Sequence, residues 1–179
     1  SLWRPLTEND AHRNGSGRGW RKEGLDSISQ KAVSSKLKNN QLTVVTRVAG
    51  RSGQNLGTAT YIYSVTGEGQ INVACSYEPD TANVHSLPRV GLAFRMPESN
   101  AREVEYLGRG PVETYADRMS NGRIARHKTT PAEDFHYYVV PQSTGNHTDV
   151  RWVSFNGGDL TVSSPEPFQF SATPYADAN

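Results

Sequence analysis

The sequence predicts an all-β fold, a large antiparallel sandwich. Three observations carry this. Gly and Pro interrupt the chain often (16 Gly and 10 Pro in 179 residues), too often for long helices. Between the interruptions, apolar residues recur at every second position, as on strands with one face turned inward. About ten such stretches follow one another at roughly 8–15 residue spacing, the cadence of a sandwich.

The elements are read in order. "LWRPLTENDAHRNGSGRGWRKEG" opens the chain without strand character. Its Gly-rich centre, residues 11–19, predicts a mobile surface loop, with Leu2, Trp3 and Trp20 anchoring the ends. From residue 25 the period becomes two. "LDSISQKAVSSKL" and "QLTVVTRVAG" read as strands, followed by Thr58–Thr66 and Gln70–Tyr77 around a "GEG" turn. "RVGLAFRMP" is expected to be a strand closed by Pro97, and "REVEYLGRGP" one ended by Gly108 to Pro111. "FHYYVVP", "TDVRWVSFN", "DLTVSS" and "FQFSATPY" supply four more. Helical expectations are two: "PAEDFHYY", with Pro131 at the first helical position and acids in the first turn, and a short start within "TPYADAN". The whole is read as one domain, residues 1–179, with 1–24 as entry segment and mobile loop. The stop at Asn179 directly after a strand reads as a truncated sandwich with an open edge.

Composition narrows the function classes. Lys and Arg total 19 against 18 Asp and Glu, a net charge of +1. That balance gives no electrostatic reason to expect nucleic acid or an anionic membrane as partner. No apolar run approaches the ~20 residues of a membrane helix. The single cysteine, Cys75, sits in the apolar run "INVACSY" and is expected to be a buried small hydrophobe. The five histidines, His12, His85, His127, His136 and His147, lack zinc-site spacing, so no metal ligand is assigned. The aromatic clusters "YIY", "HYY" and "RWVSF" alternate as core strands do.

Two clusters invite a chemical reading. "YLGRGPVETYADR", residues 106–118, holds Glu113 and Asp117 four residues apart. A glycosidase needs two carboxyl groups about 5–9.5 Å apart across the sugar, which this spacing does not exclude. Arg109, Arg118 and Arg123 lie close in sequence, however. Pairing with Arg would lower a carboxyl pKa, the wrong direction for a general acid, and would stitch the turn to its neighbours. The second cluster, "RPLTEND", gathers Arg4, Glu8, Asn9 and Asp10, with His12 and Arg13 following. It either caps a short helix or turn or offers polar groups at the edge of a sugar site.

Three stretches together resemble a known family. "LWRPLTEND" with its Gly-rich loop and Trp20 is similar to a "WRxPTDND" segment, with Leu6 and Glu8 as departures. "LGRGPVETYADR" matches "LGxGPxExYxDR" at Leu107, Gly108, Gly110, Pro111, Glu113, Tyr115, Asp117 and Arg118. "PQSTGNHTDVRW", about two dozen residues later, is similar to "PQExGNxTDVRW", with Ser143 where an acid is common. In this order they resemble the small-chain region of bacterial β-galactosidases of glycoside hydrolase family 2.

The resemblance implies a galactose-mutarotase-like sandwich beside a (β/α)₈ barrel that carries both catalytic glutamates. It implies no catalytic residue here. Arg4, Pro5, Gly108, Gly110, Pro111, Glu113, Tyr115, Asp117 and Arg118 become structural, and Asn9, Asp10, His12 and Arg13 become candidates for the active-site edge. No cofactor is implied for this segment, with magnesium, sodium or calcium belonging to other domains of the parent. The implied partners are those other domains, the barrel above all, and β-galactoside sugars; a homo-oligomer is compatible, and bacterial cytoplasm and periplasm are both open. Two alternatives are kept. One is a carbohydrate-binding module stacking sugars on Trp3 or Trp20. The other is an aldose mutarotase or epimerase, with His85, His127 or His136 and Glu113 as acid and base.

Overall fold

A computed structural model of the chain describes residues 1–175. Two four-stranded antiparallel sheets account for most of it, consistent with the all-β sandwich class. The chain forms two compact units. The first joins Ser1–Arg4 to Asn9–Leu92, and the second joins Pro5–Glu8 to the chain from Ala93 onward.

The first unit is a meander of β1 (Ser29–Lys38), β2 (Gln41–Ala49), β3 (Asn55–Val65) and β4 (Ile71–Pro79), in that spatial order. Lys38 pairs with Gln41, so Asn39 and Asn40 alone turn the first hairpin. Both have positive φ, 49° and 59°, the backbone that a two-residue hairpin with the twist of its strands demands, and one that Asn tolerates. The turn expected at "GEG" closes β3 on β4, with the Thr66 N–H donating to the Gln70 carbonyl at 3.0 Å. Gly57, at φ 135°, lets β4 approach closely: a Cβ there would lie 2.2 Å from the Glu78 carbonyl oxygen. Leu2, Trp20, Leu25, Val48, Leu56, Ala59 and Val84 are buried. β1 is exposed along its whole length.

The second unit orders its strands β6 (Arg123–Thr129), β5 (Val104–Gly110), β7 (Asn146–Phe155) and β8 (Leu160–Ser171). β5 alternates buried and half-buried at every position. Val104, Tyr106, Val150, Val153 and Phe155 form its core, with Phe168 and Phe170 of β8 packed against it. β8 takes the place of the two strands expected at "DLTVSS" and "FQFSATPY". Its register breaks between Ser163 and Phe168, where Pro165 and Pro167 cannot donate to a ladder, a defect tolerated on an edge strand.

Short helices complete the chain: α1 (Glu8–Ala11), α2 (Gly17–Lys22) and α3 (Pro131–Asp134). α3 begins as its sequence predicts. Pro131 starts the helix, and the Thr130 hydroxyl accepts from the Glu133 N–H at 3.2 Å. It stops after one turn. α2 occupies part of the stretch expected to be a loop. The helix expected within residues 173–179 lies largely outside the described residues.

Several expectations need correction. "RVGLAFRMP" and "FHYYVVP" are not strands. In the first, the Gly91 N–H bonds to the Ser1 carbonyl rather than to a neighbouring strand, and Val90, Leu92 and Phe94 are exposed. Period-two patterning without a partner strand gives an extended segment and no ladder. In the second, the His136 N–H is taken by the Thr144 hydroxyl at 2.7 Å, and Tyr137 is exposed rather than in the core. β6, "RIARHKT", was not foreseen, because an exposed edge strand carries charges where a core strand carries an apolar face. Cys75 is exposed, not buried. β5 runs through Gly108 and Gly110 instead of ending at them.

Candidate functional site

The two glycines of "YLGRGP" serve close packing within the sheet. A Cβ on Gly108 would stand 2.7 Å from Val150 Cγ2 and 3.0 Å from its Cα. A Cβ on Gly110 would stand 2.1 Å from the Tyr106 hydroxyl and 2.9 Å from His127 Cδ2. After the Gly110–Pro111 bond, which is cis, the chain is sewn to the start of β7. The Thr114 N–H donates to the Asn146 carbonyl at 2.7 Å, and the Asn146 side-chain amide returns a bond to the Thr114 carbonyl at 2.7 Å. Thr114 is fully buried, and its hydroxyl accepts from the Thr148 N–H at 3.0 Å.

This seam presents Glu113, whose carboxylate gathers four donors. Arg118 and the Tyr138 hydroxyl meet Oε1. The Tyr115 hydroxyl (3.3 Å) and the Gly145 N–H (2.9 Å) meet Oε2. The Arg118 guanidinium also lies over the Tyr115 ring, 5.3 Å from its centroid. Hydrogen bonds to an ionised carboxylate contribute about 1.5–3 kcal/mol each, so this acid is committed to the fold. Burial first, and then the Glu113 charge, hold the Tyr115 phenol above its ordinary pKa. The bond to Glu113, then burial, does the same for Tyr138. Both phenols stay protonated donors at neutral pH.

The other carboxylate of the segment differs. Tyr115 and Arg118 bond backbone to backbone in both directions, at 3.1 and 2.9 Å, which closes a tight turn with Asp117 at its tip. Asp117 is exposed. Among the described residues it has no hydrogen-bond or ion-pair partner, and neither does the Arg123 side chain. Arg109 pairs instead with Asp149, Nε to Oδ2 2.8 Å, and donates to the Gly122 carbonyl at 3.1 Å. Of the three arginines near the two acids in sequence, one therefore reaches one acid.

Behind this seam lies a constellation that the sequence does not announce. His147 is fully buried. Its Nε2 lies 3.1 Å from Asp134 Oδ2, and its Nδ1 lies 2.9 Å from the Tyr106 hydroxyl. A carboxylate only accepts, so Nε2 carries the proton and Nδ1 accepts from Tyr106. Thr129 donates to the other Asp134 oxygen at 2.8 Å. The order Asp–His–Tyr has the form of a proton relay, but it is sealed: Tyr106 and His147 expose no surface, so no substrate reaches it. No spacing rule flags a lone His opening a strand, and its partners sit 41 and 13 residues away.

The N-terminal candidates divide in two. Arg4 clasps Asp10 through both oxygens, at 2.5 and 3.1 Å, and lies 5.6 Å from the Trp20 ring centroid. Trp20 is buried and donates from Nε1 to the Ser86 hydroxyl at 2.9 Å. Asp10 is thus engaged in structure, while Asn9, His12 and Arg13 are exposed. Pro5 belongs to the second unit and is half-buried. None of the alternative bases meets Glu113. His85 Nδ1 contacts Glu23 at 2.8 Å, His127 Nε2 contacts the Arg123 carbonyl at 3.0 Å, and the His136 ring stacks edge-on with Tyr138. Among the described residues, no group of three His, Cys, Asp or Glu is placed to hold a metal.

Comparison with known proteins adds the following. A family model described as "Beta galactosidase small chain" matches residues 1–179. The chain is 31% identical to "Beta-galactosidase BgaC" of Bifidobacterium adolescentis, over 98% of this chain and 17% of that protein. It is 33% identical to a β-galactosidase of Kluyveromyces lactis (95% and 17%) and 30% identical to one of Lactobacillus delbrueckii subsp. bulgaricus (99% and 18%). The chain spans less than a fifth of the length of these curated relatives.

Proposed function

The chain belongs to the β-galactosidase small-chain family, and from that premise we propose that it is a non-catalytic lobe of a longer enzyme that hydrolyses terminal non-reducing β-D-galactose residues. The observation that carries this reading is the occupation of Glu113. Its four donors all come from its own unit, and the other acid of the segment, Asp117, stands apart at an exposed turn. A retaining glycosidase needs one acid free to protonate the leaving oxygen and a second to attack. This segment offers no such pair. The reacting carboxylates then come from elsewhere in the longer polypeptide, on a (β/α)₈ barrel that this lobe supports. Asn9, His12 and Arg13, exposed beside the Arg4–Asp10 clasp, are the side chains able to wall a sugar site.

The reading of a free-standing binding module loses one of its proposed platforms, since Trp20 is packed inside the first unit.

The test is Glu113→Gln in the full-length enzyme, assayed with a chromogenic β-galactoside. A scaffold role leaves kcat within about threefold while lowering thermal stability by about 1–3 kcal/mol. Loss of a reacting acid costs about 10⁴-fold or more, and that result would remove the proposal.

A further inference from the structure

The first sheet carries an amphipathic pattern that nothing described so far uses. Residues paired directly across antiparallel strands share a face. Leu37, Leu42, Tyr63 and Val73 are consecutive partners across β1, β2, β3 and β4, so they form one row four strands wide. Val65 and Ile71 continue it on the same face, two residues along. The adjacent row on the opposite face is Lys38, Gln41, Ser64 and Asn72, polar at every strand. One face of this end of the sheet is therefore uncharged and apolar, and the other is solvated.

The apolar face is open. Leu37 is 74% exposed, Ile71 63% and Val73 40%. Toward the other end, the same face is treated differently. There Ala59, Tyr61 and Tyr77 line a cavity of about 230 Å³ together with Leu2, Val90 and Leu92 of the same unit. The chain covers one end of this face with its own apolar residues and leaves the other uncovered.

We propose that the Leu37–Leu42–Tyr63–Val73 face is a docking surface covered, within the same polypeptide, by an apolar layer from the part of the β-galactosidase outside this segment. The inference rests on the functional reading above. Strand spacing of about 4.8 Å and a two-residue repeat of about 6.8 Å give the patch roughly 250–300 Å². A stable interface between separate molecules takes about 800 Å² from each partner, so a second copy held by this patch alone falls well short. A layer on the same chain avoids most of the entropic cost of association, and for it a patch of this size suffices. More than four-fifths of each relative lies outside the matched region, ample to supply one. The absence of charge on the face fixes the chemistry of the occupant: β-branched, aliphatic or aromatic side chains without an ionised group, since a charge buried there would have no counter-charge.

The experiment uses the full-length enzyme with Leu37→Cys, Val73→Cys or, on the solvated face, Asn72→Cys. Maleimide labelling of each is followed by peptide mass spectrometry under native conditions. The expected result is labelling of Cys at 37 and 73 at least about tenfold slower than at 72, with protection unchanged on dilution from about 10 μM to about 10 nM. Equal labelling at all three positions overturns the proposal. Protection that disappears on dilution also overturns it, since the cover would then be another molecule. Because a cysteine can itself disturb packing, hydroxyl-radical footprinting of the unaltered protein provides a second measurement, with low oxidation at Leu37 and Ile71 expected and solvent-level oxidation overturning it. Galactoside hydrolysis by the same preparation is read separately: activity with an open face sinks this inference alone, whereas an inactive longer protein sinks the functional reading.

Discussion

The two sheets have equal numbers of strands and dispose of their apolar residues in opposite ways. β5 buries every second residue around a core of Tyr106, Val150 and Phe155, and its polar neighbours find partners down to the last buried atom of His147. β1 is exposed throughout, and the row that begins at Leu37 faces open space. The buried side-chain atoms lacking a partner among the described residues, Trp3 Nε1, Glu23 Oε2 and Asp26 Oδ1, all belong to the first unit. Alternation thus reports what a sheet is built to bury, and burial follows only where a covering layer is present.

The largest effect expected from this contrast is alkaline unfolding of the second unit. Burial, and then the Asp134 charge, raise the Tyr106 phenol, and burial with Glu113 raises Tyr115. An unfolded tyrosine ionises near pH 10, so above that value unfolding releases protons. Stability is full below about pH 10 and falls as pH climbs toward the folded-state values. Phenolate absorbance should lag the exposed tyrosines and rise together with loss of the β circular-dichroism signal. If Tyr106→Phe leaves the late-ionising fraction unchanged, the contrast is broken at its centre.

Next comes His147→Ala, which strands the Asp134 carboxylate and the Tyr106 hydroxyl and opens a hole. Urea unfolding should show a loss of about 3–5 kcal/mol. Gly110→Ala should cost about 1–3 kcal/mol, because Tyr106 is fully enclosed and cannot retreat from the added methyl. The smallest effect is expected at the open sheet, where Leu37→Lys in this chain should stay within about 0.5 kcal/mol. A loss of several kcal/mol there would mean that the Leu37 row already has a cover.

Much of this was legible in the residues. The fold class, the hairpin around Gly67–Gly69, the Pro131 helix start and the structural standing of Glu113 follow from period, turn chemistry and nearby arginine. What escaped did so for physical reasons. Val90, Leu92 and Phe94 alternate like a strand, but pairing needs a second strand, and sequence does not show whether one lies alongside. β6 hides because an edge strand is written in charges. Asp117 and Glu113 look alike in sequence, and only the turn from Tyr115 to Arg118 separates them, aiming one inward and leaving the other at the tip. The His147 hub depends on residues 13 and 41 positions away, a closure that no local pattern encodes. Cys75 reads as core because it stands on an apolar face, and it is exposed because that face is open.

The prolines of β8 have a consequence beyond this molecule. Pro165 and Pro167 fall where the strand's pairing lapses, on the outer border of its sheet. A neighbouring molecule trying to extend that sheet by adding its own strand would find two amide hydrogens missing from the row it must match. Polymerisation along that seam is starved of donors, and the protein can be concentrated without that border becoming a template for fibres.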